Sequence, residues 1–99
     1  DGKQVTLHWQ MANEDDLAGF YVARGRDTTA TPPIISSLLP AEGAGTVYAF
    51  RDTVSASGVW YYWLYPVLQN GLFAQAIGPR VVNIGFSRGQ AFYVFLPLW

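Results

Sequence analysis

Ninety-nine residues make one domain with one hydrophobic core. The chain is 51% apolar and 16% aromatic but only 13% charged, against roughly 25% in an average soluble domain, so some apolar surface is expected to be buried against another chain. A net charge of −1, six scattered basic residues (Lys3, Arg24, Arg26, Arg51, Arg80, Arg88) and no cysteine exclude a phosphate-tracking stripe, a disulfide framework and a thiolate metal site.

Alternation with period two runs through the chain, and no segment keeps a helical period beyond one turn. Val5, Leu7 and Trp9 alternate with Gln4, Thr6, His8 and Gln10, the pattern of a half-buried strand with one polar face. Asn13 to Asp16 reads as a polar turn. Gly19 opens a second strand, with Phe20 and Val22 on one face and Tyr21 and Ala23 on the other. Asp27 to Pro33 is a Thr- and Pro-rich loop, and Ile34 to Leu39 a short apolar strand closed by Pro40. After the turn Glu42 to Gly45, Val47 to Asp52 forms a strand pointing Tyr48 and Phe50 one way. Ser55 to Gly58 turns the chain into its strongest strand, Val59 to Leu68. Gln69-Asn70-Gly71 is a hairpin turn, since Asn-Gly suits two positive φ values. Gln75 to Ile84 returns, with Gly78-Pro79 marking a bulge or an edge. Short strands at this spacing predict an all-β, antiparallel sandwich.

Val5-Thr6-Leu7-His8-Trp9 followed by Gly19-Phe20-Tyr21-Val22-Ala23-Arg24 resembles the V-x-L-x-W and G-[YF]-x-V-x-R patterns of fibronectin type III strands B and C. Tyr48-Ala49-Phe50-Arg51-Asp52-Thr53 is similar to strand E of bacterial members. Trp60, Tyr62, Leu64, Val67 and Gly71 resemble strand F and its hairpin, and Gly78-Pro79-Arg80-Val81-Val82 resembles strand G. The resemblance covers residues 3 to 84. It implies an immunoglobulin-like sandwich from a secreted bacterial surface protein.

Two departures carry the functional expectation. Only Asp1 and Gly2 precede Lys3, so the family's strand A is missing, and residues 85–99 extend past its usual end. The chain thus divides into an incomplete sandwich (1–84), a polar, Gly-containing connector (85–90) and an uncharged β-prone strand (91–99). The final strand, with Phe92, Tyr93, Val94, Phe95, Leu96, Pro97, Leu98 and Trp99, resembles the V-Y-L-P-L-V type termini of some secreted bacterial surface proteins. A bare sheet edge and a free apolar strand are each aggregation hazards, and together they fit. Val5, Leu7 and Trp9 are the expected acceptor groove for the tail. Burying Phe92, Val94, Leu96 and Leu98 would contribute ~1.5–3 kcal/mol each, before the cost of ordering the backbone. A tail folding back on its own subunit would run parallel to strand B. A tail crossing into the next subunit of a head-to-tail stack would run antiparallel, as strand A does, and this is the expected arrangement.

No catalytic, metal or cofactor site is expected. His8, the one histidine, falls on a polar strand face. Glu14-Asp15-Asp16 lacks the Gly-punctuated ladder of a calcium loop, and Ser36, Ser37, Ser55 and Ser57 have no histidine base. The signal that competes with the tail is an aromatic stripe: Tyr61, Trp63 and Tyr65 alternate on one face, with Tyr21 beside them. It fits lateral contacts between subunits or stacking on sugar rings. The opening at Asp1 without Met reads as a processed product or an excised fragment. Apolar runs are broken well short of ~20 residues, so no transmembrane segment is expected. The expected function is an extracellular structural subunit that polymerises with copies of itself by donor-strand complementation. The alternative is a non-catalytic accessory module of a secreted protein that binds carbohydrate.

Overall fold

The computed structural model describes residues 3–85 and the backbone of residues 91–95. Seven strands and no helix make up the described chain: β1 (Lys3–Gln10), β2 (Leu17–Gly25), β3 (Leu39–Pro40), β4 (Val47–Val54), β5 (Gly58–Leu68), β6 (Ile77–Ile84) and β7 (Ala91–Phe95). They form two sheets, ordered β4-β1-β7 and β3-β2-β5-β6. The all-β class and the two-layered arrangement agree with the period-two reading.

The layers meet through the inward members of each alternation. Val5, Leu7 and Trp9 of β1 and Tyr48 and Val54 of β4 pack against Phe20 and Val22 of β2, Tyr62 and Leu64 of β5, and Ile77 and Ile84 of β6. Trp9 stacks on Tyr48 (centroids 5.4 Å, planes 12° apart), and the edge of Phe20 closes the group against both rings. β1 and β4 pair antiparallel over eight residues, Lys3 opposite Val54 through Gln10 opposite Val47.

Two sequence expectations are corrected. The strand predicted over Ile34 to Leu39 shrinks to a bridge between Ile34 and Ala23 and the two-residue β3. Pro33 and Pro40 have no amide to donate, and the Ser36 hydroxyl, not a ladder carbonyl, accepts the bond from Val22 N (2.8 Å). At the hairpin after β5 only Gly71 takes positive φ (88°); Asn70 instead accepts the Leu72 amide on its Oδ1 (3.0 Å), while Gly71 N donates to Leu68 O. The tail runs in the direction expected of one that folds back on its own subunit. Within this chain β7 pairs with β1 in parallel, Gln4 opposite Ala91 through His8 opposite Phe95. The antiparallel direction expected against another subunit is not the one the chain makes with itself. β6 ends and β7 begins at the pole where β1 begins, so a strand that returns directly must ascend beside β1 in the same sense.

Gly78-Pro79 fits its expected place: it lies on β6, an edge strand, and the register opposite it shifts between Tyr62 and Leu64. Gly78 has φ 119°, and a Cβ there would press on the Tyr62 carbonyl oxygen.

Candidate functional site

The acceptor edge comes first. β1 has one neighbour in β4 and the other in β7, so its second edge is filled from the far end of the chain. The register sets Phe92 opposite Val5 and Val94 opposite Leu7, two fully buried core positions. Trp9, the third predicted acceptor residue, lies one position past the last described pair. The side chains of the predicted donor residues, all of residues 96–99 and the connector at 86–90 lie outside the described residues. At the pole where β1 ends, a recess of about 350 Å³ opens among Met11, Leu17, Pro66, Ala74, Gln75 and Ile77.

Polar ties clamp the two layers at opposite poles. At one, Arg24 of β2 donates to both carboxylate oxygens of Asp52 on β4 (2.9 and 2.7 Å), and the Tyr62 hydroxyl donates to Asp52 Oδ2 (2.7 Å). Burial, then that hydrogen bond, pushes the Tyr62 hydroxyl far above its ordinary pKa. The guanidinium groups of Arg24 and Arg26 both lie over the Trp60 ring, at 4.8 and 4.3 Å from its centroid. At the other pole the Tyr48 hydroxyl donates to Glu14 Oε2 (2.6 Å) while Gly43 N donates to Glu14 Oε1 (2.9 Å). Burial and the Glu14 contact raise Tyr48 as well. Glu14 is therefore turned into the fold, away from a shared cation site with Asp15 and Asp16. Among the described residues no three acidic, histidine or cysteine side chains converge.

The predicted aromatic stripe lies on the outer face of the β3-β2-β5-β6 sheet, where Tyr21 pairs with Tyr65, Ala23 with Trp63 and Gly25 with Tyr61. It is not uniformly open. Trp63 is only 8% exposed, its ring lying over Gly25 beside Pro32 of the following loop. Phe73, unread in the sequence as a site residue, joins the stripe from the β5–β6 connection and touches Tyr21 and Tyr65 at 5.9 Å each. An apolar pair, Leu72-Phe73, placed directly after an Asn-Gly turn was the available signal. The rings are not coplanar: Tyr21 and Phe73 are 58° apart, Tyr65 and Phe73 65°, Tyr61 and Trp63 40°. His8 is half-buried on the opposite, polar face of the molecule.

Comparison of the chain with protein-family models, with curated proteins and with solved structures finds no match. Strand content and sheet order define the class of protein, an all-β, two-layered fold compatible with a β-sandwich. No described helix is long and apolar enough to cross a membrane.

Proposed function

We propose that this chain is an extracellular structural subunit, a fibronectin type III-like sandwich that polymerises head to tail by donating residues 91–99 to the next copy. The observation that carries the reading is the occupant of β1's second edge. The strand order β4-β1 and β3-β2-β5-β6 is that expected of strands E-B and C′-C-F-G, and β7 stands where strand A would. A tail that pairs with that edge in its own subunit is chemically able to pair with the same edge in another.

The self-pairing leaves room for exchange. It is parallel, and parallel pairs are slightly less stable per residue than antiparallel ones. A tail arriving from the preceding subunit would enter beside the recess at Met11 and run antiparallel along the edge. Such a contact is heterologous and does not close, so it propagates into a fibre.

The deciding experiment is removal of the tail. A chain lacking residues 91–99 is expected to form no polymer and to lose stability, because the edge of β1 is left bare. Polymer at the full-length yield would sink the exchange reading. The alternative, a non-catalytic carbohydrate-binding module, lacks a flat stacking platform, since the rings of the stripe are tilted 40–65° from one another. Such a module would purify as a monomer and bind a soluble oligosaccharide.

A further inference from the structure

We infer that the outer face of the β3-β2-β5-β6 sheet is a second self-association surface, which pairs with the same face of another copy about a two-fold axis. The inference does not depend on tail exchange. The outer side of β1 and β4 differs in kind from that of β2, β5 and β6. Outward on β1 are Gln4, Thr6, His8 and Gln10, and outward on the neighbouring β4 are Val47, Ala49, Arg51 and Thr53. On the four-stranded sheet, alternation and pairing bring Ile34, Tyr21, Tyr61, Tyr65, Phe73 and Val81 to one side, and the described outward positions carry no charge. Ile34 is 47%, Phe73 56% and Val81 61% exposed.

Three arguments select a second copy, face to like face, as the occupant. An uncharged face can meet itself without bringing like charges together across the axis. Stacking it on the polar face of another copy would instead strip water from Gln, Thr and Arg side chains without supplying partners. The area also fits. With ~150–250 Å² for a whole aromatic side chain, the exposed fractions give roughly 500 Å² of apolar patch, and about 1,000 Å² buried by a pair. That is the low end of specific interfaces, so a single pair is weak, about micromolar or weaker, and gains strength when many copies are linked along one filament.

The test uses the full chain and two variants of matched exposure. Phe73→Asp with Val81→Asp places charge on the aromatic face; Val47→Asp places it on the polar face, at a site 66% exposed. All three positions are open, so circular dichroism is expected to show the native fold throughout. Sedimentation equilibrium is expected to give even-numbered assemblies for the wild type and Val47→Asp. The double variant is expected to associate at least ~100-fold more weakly, or, where filaments form, to show half the mass per unit length. Loss of association in Val47→Asp to the same degree, or a wild type with no face-dependent association, would overturn the inference. So would binding of cellohexaose or chitohexaose that Phe73→Asp abolishes, because the face would then be a sugar site. Loss of filament pairing with filaments intact separates this surface from the tail; loss of filaments with pairing intact removes the tail reading alone.

Discussion

Tyr62 is fully buried, and its hydroxyl reaches an Asp52 carboxylate already held by Arg24. Such a hydroxyl stays protonated in the fold at pH values where an unfolded tyrosine, with an ordinary value of 10.0, ionises. The sign follows from proton linkage. A raised folded-state pKa gives stability that is complete below pH 10 and is lost as pH rises above it, because only the unfolded chain releases the proton. Tyr48 is raised too and acts in the same sense. The denaturation midpoint is therefore expected to fall steeply between pH 10 and 11, at up to about 1.4 kcal/mol per pH unit for each tyrosine. Tyr62→Phe is expected to cost about 1–3 kcal/mol at neutral pH and to reduce that alkaline slope. An unchanged slope in the variant would refute the assignment. Gly19→Ala tests backbone approach at the same scale. A Cβ there collides with the Leu39 carbonyl oxygen where β3 closes on β2, and a loss of about 1–3 kcal/mol is expected on urea denaturation. The roles of Val5, Leu7 and Trp9 were legible from spacing alone, because burial on one face imposes period two. The ties of Tyr62 and Glu14 were not, since one crosses from layer to layer and the other joins a turn to β4, pairings that strand periodicity does not encode.

At the scale of elements, the strands of eight or more residues were the ones the sequence marked well. β1, β2, β4, β5 and β6 lie within a few residues of their predicted bounds. The segment from Ile34 to Leu39 was misread because two flanking prolines and a serine replace ladder groups there, which period-two hydrophobicity does not register. β7 is the element on which function turns, and its pairing gives a direct handle. Gln4 and Ala91 are register partners in the self-paired chain, and the chain has no cysteine to interfere. Gln4→Cys with Ala91→Cys is expected to form a disulfide that locks the tail onto its own β1. Under oxidising conditions this variant should stay unpolymerised, and reduction should restore assembly. Equal polymerisation with the disulfide verifiably formed would exclude release of β7 as the assembly step.

The whole molecule is two-sided and, in its own sheet edge, self-satisfied. The outer side of β1 and β4 is polar and that of the other layer aromatic, and a low charge content now has a location: the outer side of β2, β5 and β6. The sequence showed that apolar surface was in excess but not that Phe73 and Ile34 would extend it, because both come from connections and not from the strands themselves. Two unlike contacts, one polar in direction along a stack and one two-fold across it, would give paired filaments. The most direct measurement of the central claim is a structure of the native assembly by electron microscopy, detailed enough to trace residues 91–99. The account predicts that this segment lies beside residues 4–10 of a different subunit and runs antiparallel to them. A tail still paired in parallel with the β1 of its own subunit, as in the single chain, or a tail with no strand partner, would contradict it.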